Sequence, residues 1–138
     1  MSPEELVKRS QVIVRATALG YFRPPTLERA GRPEVPNSGA VRFRVDKVIK
    51  GRFDAATLDL DGRVIAKDDV NEAAVPYRVA RKSHDSYVTG AEYLLMLREG
   101  VRGYDVTWAS PSASNEPIRG ENDAWLKWVS QRASKESH

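Results

Sequence analysis

Apolar and polar residues alternate along several short stretches of the chain, and a period of two predicts strands. In "QVIVRATALGYF" (residues 11–22), Val12, Val14, Ala16 and Ala18 fall on one face against Ile13, Arg15, Thr17 and Leu19 on the other. In "AVRFRVDKVIKG" (residues 40–51), Val41, Phe43 and Val45 oppose Arg42, Arg44 and Asp46; the apolar parity then changes at Val48, which predicts a bulge near Asp46 or Lys47. "ATLDLDGRVIA" (residues 56–66) puts Leu58 and Leu60 on one side, with a turn or kink at Asp61-Gly62 before Val64 and Ile65. The stretch "YVTGAEYLLMLREGVRGYDVTWAS" (residues 87–110) reads as two further strands joined by a turn at "GVRG", with Tyr104, Val106 and Trp108 sharing a face. These strands predict a core of Val12, Val14, Val41, Phe43, Val45, Leu58, Leu60 and alternate residues of "YLLML".

The two ends of the chain carry helix signals. "SPEE" (residues 2–5) fits a capping box, with Ser2 receiving the backbone N–H of Glu5 and Pro3 at the first helical position, so a short helix should run to Lys8 or Arg9. In "GENDAWLKWVSQRASK" (residues 120–135), Trp125, Trp128 and Val129 recur at helical spacing behind Asn122 and neighbouring acids, and the two tryptophans should pack on the sheet. Between the strands, residues 23–39 carry four prolines and two glycines and predict a long surface loop. The polar segment from Lys67 to Thr89 predicts another, with a short helix near "DVNEAAV" (residues 69–75).

A chain of 138 residues with 41% apolar and 30% charged residues suits one globular domain. The expected organisation is an N-terminal helix over 1–10, a barrel over 11–110, a helix over 120–134 and a frayed tail over 135–138. The net charge of +3 permits an anionic partner without requiring one. With no cysteine there is no disulfide, thiolate metal site or cysteine nucleophile. No apolar run approaches the length of a membrane span, so no membrane insertion is expected, and "MSPEELVKRSQ" lacks the zones of an export signal.

Candidate chemistry is sparse. "HDS" (His84 to Ser86) holds the three residue types of a hydrolase triad, but adjacent residues point in different directions, so a polar loop is the simpler reading. Asp68 and Asp69, with Asn71 or Glu72, supply hard oxygen ligands without the spacing of a calcium loop. Two histidines argue against zinc, and no glycine-rich phosphate cradle supports a nucleotide, so neither metal nor cofactor is expected. The densest basic run, Arg42, Arg44, Lys47, Lys50 and Arg52, could track a nucleic-acid backbone, although Phe43 falls on the opposite parity and is assigned to the core. "VPYRVARKSH" (residues 75–84) sets Tyr77, Arg78, Arg81, Lys82 and His84 on the long loop, residue types that anchor protein interfaces.

The succession "SQVIVRATALG", "VRFRVDKVIKG", "GAEYLLML" and "YDVTWAS" resembles the netrin-like, or tissue-inhibitor-of-metalloproteinases-like, OB-fold superfamily, and "DDVNEAAVPY", "NEPIRG" and "ENDAWLKWV" resemble stretches of exported bacterial members. The resemblance implies a mainly β protein, a five-stranded Greek-key barrel of OB type with short N-terminal and C-terminal helices, exported to the periplasm or beyond with its signal peptide removed. In the animal inhibitors an N-terminal cysteine chelates the protease zinc. That cysteine is missing from this chain, so that mechanism does not transfer. The reading that follows is a non-enzymatic module binding a protein or peptide through Tyr77, Arg78, Arg81, Lys82 and His84. The alternative is oligonucleotide binding through Arg42, Arg44, Lys47 and Lys50, and a hydrolase is third.

Overall fold

The computed structural model describes residues 2–23, 39–65, 86–100, 103–107 and 114–136. Its elements are helix α1 (Pro3–Arg9), strands β1 (Val12–Arg23), β2 (Ala40–Lys50), β3 (Thr57–Asp61), β4 (Arg63–Ile65), β5 (Ser86–Val88), β6 (Glu92–Gly100), β7 (Gly103–Val106) and β8 (Asn115–Pro117), and helix α2 (Ala124–Glu136). The protein is mainly β. Six strands form an antiparallel sheet in the order β3-β2-β1-β6-β7, with β8 also on β6.

Two expectations need correction. Five strands were expected, and the described residues hold eight. The third predicted strand breaks at Gly62, whose N–H turns away to the Gly39 carbonyl at 3.2 Å. The fourth breaks at Thr89-Gly90, where Gly90 has φ +87° and donates to the Ala18 carbonyl at 2.8 Å. The fragments so released, β4 and β5, pair with each other in parallel, which departs from the all-antiparallel expectation. The ends of the strand path, β3 and β7, bring Cα atoms within 8 Å of one another, but no ladder joins them among the described residues.

Other expectations match the structure. Ser2 caps α1 by accepting the Glu5 N–H at 3.2 Å, and Pro3 opens the helix. The bulge in β2 falls at Asp46: Val45 pairs with Ala16 and Lys47 with Arg15, leaving Asp46 as the extra residue. The start of α2 is set at Asp123 instead of Asn122, its carboxylate accepting from the Leu126 and Arg119 N–H groups at 3.1 and 3.2 Å.

The sheet separates two cores. Inside its curl lie Val12, Val14, Ala16, Ala18, Val41, Phe43, Leu58, Leu60, Tyr87, Tyr93, Leu95 and Leu97, with Val45, Tyr104 and Val106 partly buried against them. Phe43, Tyr87 and Tyr93 meet edge to face, with ring centroids 4.8 to 6.1 Å apart. On the other face, Ile13, Leu94 and Met96 pack under Leu6 and Val7 of α1 and Leu126, Val129 and Ala133 of α2. "YLLML" is therefore apolar throughout because β6 is covered on both sides. Trp125 and Trp128 stack at 5.5 Å and pack, half-buried, at the rim of this second core.

Candidate binding surface

Where α2 does not cover the outer face of the sheet, strict alternation turns polar side chains of β1 outward, and neighbouring strands supply their partners. Arg15 donates to Glu92 on β6 at 2.8 Å and to Glu121, just before α2, at 3.2 Å. The Glu92 hydrogen bond leads in raising the Arg15 pKa, against burial that lowers it. Thr17 lies between Arg44 and Glu92 in register. Its hydroxyl donates to Asp46 at 2.6 Å and accepts from Arg44 at 3.3 Å, while Arg44 also donates to Asp46 at 2.7 Å. Burial pushes the Asp46 carboxyl up, but the hydrogen bonds from Thr17 and Arg44 and the charge of Arg44 hold it below the ordinary carboxylate value. The bulge makes this possible by displacing Asp46 from its regular register position.

A second pair of irregularities lies further along β1. Ala18 pairs with Phe43 and Gly20 with Arg42, leaving Leu19 extra; Tyr21 pairs with Val41 and Arg23 with Ala40, leaving Phe22 extra. Gly20, at φ +134°, takes the backbone through a region L side chains avoid. The alternation is thereby reset. Tyr21 is tied to β4, its hydroxyl accepting the Val64 N–H at 2.9 Å. Leu19 and Phe22 emerge 45% and 51% exposed, and with Tyr21 they are the exposed large hydrophobic residues of the described chain. The Arg42 guanidinium lies over the Phe22 ring, 4.0 Å from its centroid, and binds Asp59 on β3 through Nε at 2.8 Å and Nη2 at 3.0 Å. Asp59 is the leading cause raising the Arg42 pKa.

The basic run is not one track. Arg42, Arg44 and Lys47 belong to the outer side of β2, but Lys50 is drawn away to α1, donating to the carbonyls of Val7 at 2.6 Å and Lys8 at 3.2 Å. Arg52 pairs with Asp54 beyond the strand. Tyr77, Arg78, Arg81, Lys82 and His84 lie outside the described residues, as do Asp68, Asp69, Asn71, Glu72, Asp85, Trp108 and the helix predicted near 69–75. Ser86 of "HDS" is buried in β5. Among the described residues no group of three or more histidines or acids is placed to hold a metal ion, and no helix is long and apolar enough to cross a membrane.

Sequence reasoning put Leu19 on the outer face but did not single out Phe22 or Asp59. The signal for Asp59 is its alternation in "TLDLD"; the register that sets it opposite Arg42 is a property of the sheet. No protein-family model matches the chain, and no curated protein matches it either.

Proposed function

We propose that this protein is a non-enzymatic binding module with a netrin-like barrel of OB type, exported by a bacterium, which takes a protein or peptide partner through its loops and the adjoining end of β1. The strand path supports the architecture. β1, β2 and β3 follow as neighbours, a long connection returns the chain to the free side of β1 as β6, and β7 folds back toward β3; four strands so arranged make a Greek key.

The observation that carries the binding role is the exposure of Leu19, Tyr21 and Phe22 together, at a place where β1 is bulged. Full burial of a leucine or phenylalanine stabilises by about 1.5–3 kcal/mol, and Leu19 and Phe22, already near half buried, would gain roughly half of that each when covered. Bulges that re-aim side chains recur beside functional sites. The proposal also assigns binding to Tyr77, Arg78, Arg81, Lys82 and His84, whose residue types anchor protein interfaces.

Oligonucleotide binding is the second reading, favoured by one observation: Phe22 and Arg42 form an exposed aromatic and cationic stack beside Arg44 and Lys47. Against it, Arg42 and Arg44 are neutralised by Asp59 and Asp46, and Lys50 is committed to α1.

Selection of displayed random peptides on the immobilised protein, beside titration with labelled single-stranded DNA at several salt concentrations, tests both readings. Selected peptides should lose binding to a Leu19→Ser/Phe22→Ser variant and to a Tyr77→Ala/Arg81→Ala variant whose circular dichroism is unchanged. DNA binding that falls steeply with the logarithm of salt, with no peptide enriched, would overturn the proposal in favour of the second reading.

A further inference from the structure

We infer that Arg42 is a preorganised carboxylate receptor, and that the peptide the β1 end accepts carries an aspartate or glutamate beside its apolar residues. The inference rests on the proposed peptide-binding role and names the chemistry of the partner. A guanidinium offers five N–H donors along its edges. Here Asp59 occupies the Nε and Nη2 edge, and Phe22 supports one face of the plane. Nη1 carries no hydrogen bond among the described residues, and the Arg42 side chain is 42% exposed. The group is thus fixed on one edge and one face, with the remaining edge open beside the exposed Phe22 ring.

A long cationic side chain ordinarily loses rotamer freedom when it engages an anion; one already held loses less. The same arrangement limits the strength of the attraction. Asp59 cancels the formal charge of Arg42, so an isolated anion gains little from bulk electrostatics. A ligand has to bring apolar surface for Leu19 and Phe22 as well. Arg44, two residues along the same face and 60% exposed, is likewise held at its Nε by Asp46, so this face offers oriented donors without an unpaired cation. This combination suits a carboxylate carried on an apolar peptide better than a phosphodiester backbone, which would need several unneutralised cations.

The test uses fluorescein-labelled, C-terminally amidated peptides on a Gly-Ser background, each with two adjacent apolar residues drawn from Leu, Ile, Phe and Tyr, followed by either Asp or Asn. Binding to the full chain is read by fluorescence anisotropy. The best Asp peptides should bind roughly fivefold to tenfold tighter than their Asn counterparts, as one well-formed charge-assisted contact gives. Arg42→Gln should shrink the Asp-over-Asn ratio to less than about twofold, and Arg42→Lys, a cation without the planar fork, should restore only part of it.

If Asp and Asn peptides bind equally well, and both are lost in Leu19→Ser/Phe22→Ser, the carboxylate inference is overturned while the peptide-binding role stands. If no peptide binds, both fail. Salt-sensitive binding of labelled single-stranded DNA that is lost with Arg42→Gln would reassign the open edge of Arg42 to phosphate.

Discussion

Replacing Gly51 with alanine should be among the most damaging single-methyl changes in the described chain. Gly51 follows β2 at φ +76°, and a Cβ built there overlaps the carbonyl oxygen of Gln11, with the Gln11 carbonyl carbon at 3.3 Å and Val12 Cα at 3.4 Å. Two costs therefore add. An L side chain in the left-handed region costs about 1–2 kcal/mol. Pushing a methyl against backbone that cannot yield costs a further ~1–3 kcal/mol. Gln11 is poorly placed to move, because its N–H donates to the Leu97 carbonyl at 2.8 Å and its side-chain Oε1 accepts the Glu99 N–H. For a domain of this size one kcal/mol corresponds to about 3–4 °C, so the midpoint of thermal unfolding should fall by roughly 6 to 20 °C. Gly90→Ala is the control: φ is +87° there, but nothing lies within 4 Å of the added Cβ. Only the conformational cost applies, and the midpoint should fall by roughly 3 to 8 °C. Asparagine tolerates the left-handed region better than alanine, so Gly90→Asn should recover much of the loss while Gly51→Asn should not. Unfolding followed by circular dichroism in all four variants separates the two costs. Equal midpoints for Gly51→Ala and Gly90→Ala, or full recovery in Gly51→Asn, would show that the approach to Gln11 is not a constraint.

Three other perturbations probe different parts of the structure. Tyr87→Phe removes the hydroxyl that accepts from the buried Asn115 amide at 2.9 Å, and should cost about 1–2 kcal/mol in urea unfolding with an unchanged slope; a neutral result would mean that the amide is satisfied elsewhere. Because the Asp46 carboxyl, despite its burial, is held below its ordinary value by the Thr17 and Arg44 hydrogen bonds and the Arg44 charge, its ionised form stabilises the fold above the unfolded pKa, and that contribution is lost as pH falls through the folded one. The advantage of the parent protein over Asp46→Asn should therefore be full at neutral pH and shrink on acidification, and a pH-independent difference would contradict the assignment. Lys50→Met withdraws an ammonium from the Val7 and Lys8 carbonyls at the end of α1, and should speed hydrogen exchange of α1 amides with a loss of about 0.5–1.5 kcal/mol; unchanged exchange would show that the lysine does not cap the helix.

Much of this architecture follows from local order in the chain. The capping of α1 by Ser2 depends on residues three apart, and the inward faces of β1, β2 and β3 depend on a period of two, so both are written in neighbouring residues. Even the bulge at Asp46 leaves a mark, because a bulge shifts apolar parity between Val45 and Val48. The pairing of β4 with β5 is different. Three residues of each strand, far apart in the chain, are brought together by the break at Gly62, whose N–H goes to Gly39, and the turn at Gly90, and no local pattern specifies a parallel partner. The binding surface depends on tertiary structure in the same way. The exposure of Phe22 comes from how β1 slips against β2, and the fixing of Arg42 comes from the register that sets Asp59 opposite it. Sequence alone determined which residues avoid water and with what period; the pairing of strands decided which polar residues face one another, because a one-residue slip costs little in local energy yet turns every side chain to the other face.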